Sequence, residues 1–431
     1  MEPASVPARR SGPGAAQDLN RSRFVGGNSV QLLRGGDELF PAMHAAIAQA
    51  QREVWLATYI FDTDNAGRDL ADALVAAAKR GVQVRVVVDG FGSKSTIGSL
   101  GQWLAVDGLK LCVFRPIDRW WSWLQPGQLR RLHQKMCAVD GECAFVGGIN
   151  IIDDRHDPRH GWSDAPRLDF AVALRGPLAT QVQRSTRAMW WRAHLRQSWR
   201  GELRLLWRSD APVARTMSLL RTVRATRPPG ERLAGADNPQ PMRAAFVVRD
   251  NLRQRRAIER SYIEAIRRAR VRVDLACPYF YPGRAFRRTL RQAGDRGVQV
   301  RLLMQGKIDY RLAGLAARVL YDELRRHRVR IYEYTPAFLH AKVALVDDEW
   351  ATVGSSNIDP LSLLLNLEAN VVVRDADFVA ALAARFNDAV AASVEIVESP
   401  LATGWRAWLL RGLVAWCAST YLRIAGISSR Y

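Results

Sequence analysis

The sequence predicts an α/β protein made of two duplicated halves, each with a mixed central sheet between helices, that share one site. Three repeated features lead to this fold class. The pattern HxKxxxxD occurs at His133 and again at His340, and a glycine-led segment ending in asparagine follows each copy. The hexapeptide RGVQVR occurs at 80–85 and at 296–301, and the distance along the chain between its two copies is nearly that between the two histidines. Strand, helix, hexapeptide and histidine motif follow in the same order in both halves, which indicates duplication.

Each half begins with an apolar strand that leads into a helix. Residues 53–61 (EVWLATYIF) predict a buried strand, a helix follows to residue 79, and the hexapeptide then runs into a strand at 86–88. In the second half, residues 271–277 supply the strand and the helix continues to residue 291. Strands that alternate with helices are typical of α/β units with a parallel or mixed sheet.

Composition divides the chain into five segments. Residues 1–23 are rich in Pro, Ala, Gly, Ser and Arg without an apolar run, which predicts a disordered tail and no secretory signal. The two halves are 24–208 and 239–400, and the Pro- and Gly-containing segment 209–238 is the predicted linker. Residues 401–431 predict an amphipathic segment at a membrane interface.

A large positive charge limits the classes of partner. The chain carries 63 Lys+Arg against 42 Asp+Glu, a net charge of +21. Such a field attracts polyanions, either nucleic acid or an anionic membrane surface. The 48% hydrophobic and 24% charged residues indicate a folded protein, and no apolar stretch is long enough to predict a bilayer-spanning helix. The five cysteines lack metal-type pairing and indicate buried free thiols in a reducing compartment.

The two histidine motifs have residue types that suit phosphoryl transfer. On a strand, residues i and i+2 face the same side, so His133 projects with Lys135 and His340 with Lys342. One histidine can attack a phosphodiester to form a covalent intermediate. The other, when protonated, can give its proton to the leaving alcohol. A single motif of this kind is a weak signal, but two copies in a repeated frame favour a catalytic pair.

Supporting residues follow each motif at matching positions. Asn150 and Asn357 are candidates, with the two lysines, for binding the non-bridging phosphate oxygens. Asp169 and Glu368 are candidates for the acids that fix the tautomer of each histidine.

The motif aspartates, Asp140 and Asp347, belong to the catalytic pattern but stand where strands give way to turns. We therefore expect their role to be mainly structural. The remaining histidines lack a partner pattern, and no cluster has convincing metal-ligand spacing. The sequence thus predicts catalysis without a metal or cofactor.

Several segments resemble the phospholipase D superfamily, and within it the B-type branch of bacterial cardiolipin synthases. The most specific is 351–370 (ATVGSSNIDPLSLLLNLEAN). Residues 279–283 (YFYPG), 88–93 (VDGFGS) and 30–33 (VQLL) also resemble that branch, and the resemblance extends over about 28–416. It implies two phospholipase D-like halves that close a single active site.

The resemblance also implies a reaction, the transfer of a phosphatidyl group between phosphatidylglycerol molecules to give cardiolipin and glycerol. By the usual family assignment His133 is the nucleophile and His340 the acid/base, although the residues alone leave this order open. The implied partners are anionic phospholipids and the surface of the bacterial inner membrane, to which the protein binds peripherally, and no nucleic acid. The alternatives are phosphatidylethanolamine as donor, hydrolysis, a nuclease of the same superfamily, or a membrane-binding protein with an inactive site.

Three positions depart from the family pattern. Gly148 stands where many members carry Ser, and Ala57 stands where relatives often have Glu. Pro360-Leu361 replaces the segment in which A-type synthases usually show an Arg, which supports the B-type assignment.

Tryptophans beside arginines predict contact with the headgroup zone of a membrane. The residues concerned are Trp120, Trp121 and Trp123 before the first motif, and Trp405, Trp408 and Trp416 on one face of a C-terminal helical pattern. The alternative for the C-terminal helix is packing on the protein core.

Overall fold

Two mixed sheets, one in each half, form the framework of the protein. The computed structural model describes residues 23–117, 130–158, 160–207, 242–249, 256–307, 320–359 and 366–398, with single positions 217, 254, 318 and 362; for 199–207 it describes the backbone alone. The strands are β1 (Ser29–Arg34), β2 (Glu53–Thr58), β3 (Gln83–Asp89), β4 (Leu109–Phe114), β5 (Lys135–Val139), β6 (Cys143–Gly147), β7 (His156–Asp157), β8 (Gly161–Trp162), β9 (Phe170–Arg175), β10 (Arg243–Arg249), β11 (Arg272–Ala276), β12 (Gln299–Gln305), β13 (Val329–Tyr334), β14 (Val343–Val346), β15 (Trp350–Gly354), β16 (Glu368–Arg374) and β17 (Ser393–Glu395). The helices are α1 (Gly35–Ala48), α2 (Asn65–Lys79), α3 (Ile97–Trp103), α4 (Pro177–Trp207), α5 (Ala257–Arg268), α6 (Arg284–Asp295), α7 (Tyr321–Arg325) and α8 (Ala376–Ala391).

The strand order is the same in the two sheets. The first sheet runs β1-β9-β6-β5-β2-β3-β4, and the second runs β10-β16-β15-β14-β11-β12-β13 with β17 added at the edge. In each sheet three strands are parallel (β2-β3-β4 and β11-β12-β13), and the remaining pairs are antiparallel. The predicted duplication and the mixed α/β fold class are therefore confirmed.

The repeated hexapeptide is a helix stop that leads into a strand. Gly81 and Gly297 adopt left-handed backbone conformations, with φ of 92° and 88°. After α2 the amide of Val82 donates to the carbonyl of Ala77. After α6 the amide of Val298 makes the equivalent bond to the carbonyl of Ala293. This arrangement ends a helix at a glycine because only glycine adopts the left-handed conformation without strain. The strands β3 and β12 then begin two residues later.

The two halves share part of their hydrophobic core. Apolar residues of α1 and α2 cover one face of the first sheet, and those of α5 and α6 cover one face of the second. A third cluster joins the remaining faces, where β6 and β9 pack against β15 and β16. Val146 and Val172 from the first half and Val353 and Val371 from the second belong to it. The halves therefore meet through buried apolar side chains, which fixes the relative position of their motif strands.

Most of the predicted tail, linker and C-terminal segment (1–23, 209–238 and 401–431) falls outside the described residues, as do all six tryptophans assigned to membrane contact. Among the residues that the structure describes, no helix combines the length and the apolar character needed to cross a membrane.

Candidate active site

Backbone bridges between the halves hold the two histidine motifs at the centre of the molecule. The amide of His133 donates to the carbonyl of Leu367 at 3.1 Å, and the amide of His340 donates to that of Leu168 at 2.9 Å. Leu168 and Leu367 immediately precede the two predicted orienting acids. Each bridge therefore brings one histidine next to an acid from the opposite half.

The orienting acids are exchanged between the halves. Nδ1 of His133 lies 3.1 Å from the carboxylate of Glu368, and Nδ1 of His340 lies 2.5 Å from Oδ2 of Asp169. A carboxylate at Nδ1 favours the tautomer that keeps the proton there. Nε2 of each ring is then the nitrogen that can react. Sequence analysis proposed the two acids but did not foresee that each serves the histidine of the other half.

Both histidines lie in a largely buried site, with side-chain exposures of 12% for His133 and 21% for His340. Burial lowers the pKa of His133, and the carboxylate of Glu368 opposes that effect. Burial and the charge of Lys342 hold the pKa of His340 well below its usual value. Burial raises the pKa of Asp169 to about 7. Low dielectric thus favours neutral rings, the form in which an imidazole is nucleophilic.

The two motif lysines are buried beside the histidines. Nζ of Lys135 donates to the carbonyl of His133 at 2.8 Å, and Nζ of Lys342 donates to the carbonyl of His340. Burial, reinforced by the charge of Lys342, lowers the pKa of Lys135 to about 7. Burial lowers the pKa of Lys342 to about 8, against the effect of Asp169, whose Oδ2 lies 4.0 Å away. Two crowded cations in a buried site favour the binding of an anion between them.

The surroundings of the two acids explain the departure at Gly148. The hydroxyl of Ser355 donates to Oε2 of Glu368 at 2.5 Å. Gly148 occupies the matching position in the first half, and a Cβ there would collide with the carboxylate of Asp169. That carboxylate is held in place because its Oδ1 accepts from the amide of Phe170 at 2.8 Å. A serine hydroxyl therefore supports one acid, whereas the other acid fills the space that a serine would need.

The predicted phosphate-binding asparagines lie just beyond β6 and β15 and are buried. Oδ1 of Asn150 accepts from the amide of Ile60 at 3.3 Å. Oδ1 of Asn357 has no hydrogen-bond partner among the described residues. Lys135 begins the strand that pairs with β6, and Lys342 immediately precedes the strand that pairs with β15. The contact of the two asparagines with a phosphate stays a prediction.

Sequence analysis missed an aromatic residue at the first histidine. The ring of Tyr59 lies 5.0 Å from the ring of His133, and Nζ of Lys135 lies 5.4 Å from the centre of the same tyrosine. The sheet register places Pro278 at the matching position of the second half. The available signal was the position of Tyr59 directly after the parallel strand β2, at the edge where ligands of such sheets bind.

The two motif aspartates lie at the opposite ends of their strands from the histidines. Asp140 lies seven positions after His133, about 23 Å along an extended chain. The carboxylate of Asp140 accepts from the amides of residues 51, 52 and 53 at 2.8, 2.9 and 2.7 Å. Asp347 accepts in the same way from residues 270–272, and both aspartates have positive φ. These contacts fix the start of β2 and β11, which supports the mainly structural role expected of both aspartates.

Replacing Asp140 with alanine is expected to lower the free energy of unfolding by about 2 kcal/mol, because backbone amides lose a charged acceptor. Burial alone would raise the pKa of Asp140, but the three amides together lower it. The stabilisation is therefore present at neutral pH and is lost as the pH falls below the ordinary aspartate range. Urea denaturation measures the change. Glu142→Ala is the control, since its ion pair with Arg52 is exposed, and it should cost less than about 1 kcal/mol.

One group of possible metal ligands occurs among the described residues. Asp62, Asp64 and His156 offer ligand atoms within 4.8 Å of one another. Both oxygens of Asp64 already accept from amides, those of Gly67 at 2.9 Å and Asp153 at 2.7 Å. The first of these bonds caps the N-terminus of α2. The contacts of Asp64 are thus those of a residue that holds a loop to a helix.

Comparisons with known proteins agree with this geometry. A family described as "Cardiolipin synthase, PLD-like domain" matches residues 43–160 and 262–390, one match in each half. Cardiolipin synthase B of Shigella flexneri is 35% identical over 391 residues, which cover 88% of this chain and 85% of that protein. Cardiolipin synthase B of Escherichia coli (strain K12) is 35% identical over 393 residues, with the same coverage.

A solved structure shares the fold over nearly the whole length. Phosphatidylserine synthase of Haemophilus influenzae Rd KW20 superposes with a TM-score of 0.65 at 14% identity, covering 95% of this chain and 99% of that one. Identity this low supports the fold alone. The family match and the two relatives carry the assignment, and the chain belongs to the cardiolipin synthase family of phospholipase D-like proteins.

Proposed function

We propose that this protein is a cardiolipin synthase that transfers a phosphatidyl group from one phosphatidylglycerol to a hydroxyl of another. The observation that carries the proposal is the pair of histidines, each held at Nδ1 by a carboxylate from the opposite half, beside two buried lysines. The relatives named cardiolipin synthase B supply the substrate class. Catalysis requires only side chains, since both protons and the phosphatidyl group can be carried by imidazoles.

The reaction has two displacement steps at one phosphorus atom. Nε2 of His133 attacks the donor phosphate, the phosphorus–oxygen bond to glycerol breaks, and His340 gives its proton to the departing oxygen. Neutral His340 then takes a proton from the hydroxyl of the second phosphatidylglycerol. That oxygen attacks phosphorus, the phosphorus–nitrogen bond to His133 breaks, and cardiolipin forms. Lys135 and Lys342 offset the negative charge that develops on the phosphate in both steps.

The difference between the two acids supports this division of roles. Ser355 donates to Glu368, which stabilises the carboxylate as an acceptor for the Nδ1 proton of a neutral, nucleophilic His133. Asp169 has a pKa raised to about 7 by burial and lies 2.5 Å from Nδ1 of His340. At this distance the negative charge of Asp169 stabilises the positive charge that His340 gains when it takes the proton of the acceptor hydroxyl, which suits the general acid and base.

The pH dependence of kcat/KM is expected to be bell-shaped. Lys135 and Lys342, with pKa values of about 7 and about 8, lose their charge as the pH rises, so binding of the anionic donor weakens. On the acid side activity falls when His133 becomes protonated, below the ordinary imidazole range because burial lowers its pKa. The substrate phosphodiester stays ionised throughout. Initial rates of cardiolipin formation from about pH 5 to about pH 9 measure both limbs, and constant activity above pH 8 would contradict the assignment of the lysines.

The net charge of +21 supports binding to an anionic surface, where the lipid substrates reside. We therefore infer peripheral association with the inner membrane of a bacterium. The six tryptophans predicted to reach the headgroup zone belong to this proposal. Phosphatidylethanolamine is the alternative donor, because the histidine chemistry does not depend on the headgroup that leaves.

Product analysis tests the proposed function. Purified protein is incubated with mixed micelles that contain phosphatidylglycerol labelled in the acyl chains and in the headgroup glycerol, and the lipids and the released glycerol are quantified. Cardiolipin with an equal amount of glycerol is the expected result. Phosphatidic acid alone would identify a hydrolase, and cardiolipin that appears only when phosphatidylethanolamine is added would identify a different donor. Cleavage of DNA without any lipid turnover would replace the proposal by the nuclease alternative.

A further inference from the structure

The edge at which the parallel strands end differs between the two halves. The registers make β2, β3 and β4 the counterparts of β11, β12 and β13. The residues at or just after these strand ends are Tyr59, Asp89 and Arg115 in the first half and Pro278, Gln305 and Thr335 in the second. The first half therefore has an aspartate and an arginine at this edge, beside His133, where the second half has a glutamine and a threonine, with Lys307 two residues beyond Gln305. Ligands of α/β sheets bind at this edge.

The contact that Asp89 makes with the backbone does not require a charged side chain. Oδ2 of Asp89 and Oε1 of Gln305 each accept from the amide of the leucine before the histidine, at 2.8 and 2.6 Å. A neutral amide therefore makes the same backbone contact as the carboxylate. Asp89 differs because it also binds Nε of Arg131 at 3.0 Å, whereas Phe338 stands at the position of that arginine in the second half.

One arginine, Arg131, binds Asp89, and three arginines surround Arg115. Arg131 is buried, pairs with Asp89 and donates to the carbonyl of Arg115 at 3.2 Å. Nη1 of Arg115 donates to the carbonyl of Arg130 at 3.3 Å, and the positive charge of Arg196 in α4 also acts on Arg115. Burial and then the charges of the three other arginines lower the pKa of Arg115 to about 10. The half-buried guanidinium of Arg115 is thus repelled by the positive charges of the neighbouring arginines, and a bound anion would relieve this repulsion.

A phosphodiester is the anion that fits this cluster. Guanidinium groups bind phosphate oxygens in pairs and lose little hydration on doing so. Arg131 precedes His133 by two residues, about 7 Å along an extended chain, so the cluster adjoins the reacting phosphate. In transfer between two phosphatidylglycerols, the acceptor carries its own phosphate on the same glycerol as the attacking hydroxyl. Water and simple alcohols carry none.

We propose that Arg115, with Arg130 and Arg196, binds the non-reacting phosphodiester of the acceptor phosphatidylglycerol. This inference rests on the proposed function and adds its acceptor site. The cluster selects a lipid over water at the second step, because only an anionic acceptor gains from the positive charge of these arginines. The matching edge of the second half has Gln305 and Thr335 in place of Asp89 and Arg115, and its cation, Lys307, donates to the carbonyl of Pro336 at 3.1 Å.

The test measures how one intermediate divides between two acceptors. Wild type and Arg115→Gln are incubated with phosphatidylglycerol micelles in the presence of ethanol, and cardiolipin and phosphatidylethanol are quantified together. Both products arise from the same phosphatidyl-enzyme, so effects on the donor step cancel in their ratio. The ratio of cardiolipin to phosphatidylethanol is expected to fall about tenfold in Arg115→Gln and less in Arg115→Lys. Arg288→Gln, an exposed arginine of α6, is the charge-matched control and should keep the wild-type ratio.

Each other outcome has a separate meaning. Absence of cardiolipin from the wild type would reject the proposed function before any variant is considered. An unchanged ratio in Arg115→Gln, or an equal fall of both products, would reject the acceptor site while leaving the synthase assignment intact. The phosphate could instead come from lipid headgroups of the membrane surface, which flotation with phosphatidylcholine vesicles, with and without phosphatidylglycerol, tests. Arg115→Gln is expected to bind these vesicles as the wild type does. Loss of binding would assign the cluster to general attraction by the membrane surface.

Discussion

Replacing His133 with alanine is expected to lower the rate of cardiolipin formation by at least about 10⁴-fold, because no other group then forms the covalent intermediate. The side chain of His133 is not part of the apolar core that the halves share, and it contacts mainly Tyr59 and Glu368, so the fold should persist. The rate is measured with labelled phosphatidylglycerol, and circular dichroism verifies folding.

A histidine–carboxylate pair outside the active site supplies the matched control. Nδ1 of His327, which precedes β13, lies 2.9 Å from Asp295 at the end of α6. That is the opposite edge of the sheet from the active site, and His327→Ala should keep activity within about twofold of wild type. Substantial turnover by His133→Ala would show that another residue is the nucleophile.

Replacing His340 with alanine is expected to stop turnover of phosphatidylglycerol but to preserve the first step on a substrate whose leaving group needs no proton. A phosphatidyl ester of p-nitrophenol meets this requirement, because nitrophenolate leaves as a stable anion. The variant should release one nitrophenolate per active site in a burst and then stall, since no base remains to activate the acceptor. Mass spectrometry of the intact protein should find the phosphatidyl group on His133.

The same substrate distinguishes the two possible orders of the histidines. His133→Ala should give no burst and no modified protein. If His133→Ala accumulated the phosphatidyl group and His340→Ala did not, the roles assigned to the two residues would be reversed.

The duplicated α/β fold could be predicted from the sequence because its signals are local. The repeated hexapeptide encodes a glycine helix stop and the strand after it, and Gly81 and Gly297 adopt the conformation that this requires. The motif histidines and lysines could be placed on shared faces because strand periodicity alone decides that. Asp140 and Asp347 were expected to fix turns, and their backbone contacts have that character.

The remaining features of the site depend on contacts between distant segments. The exchange of Asp169 and Glu368 follows from bridges that join residues about two hundred positions apart, which no local pattern encodes. Tyr59 and the cluster around Arg115 depend on which strand ends lie side by side. The difference between Gly148 and Ser355 was visible as a departure, but its reason, the space occupied by Asp169, required coordinates.

Because the orienting acids are exchanged, the geometry of the active site depends on how the two halves are joined. A hinge motion that separated the halves would detach both histidines from their carboxylates at once and leave the rings without a fixed tautomer. Lipids must therefore reach the histidines while the halves stay closed. A fragment that contains one half would carry the histidine of one histidine–carboxylate pair and the acid of the other. It would be inert until the complementary half supplied the missing member of each pair.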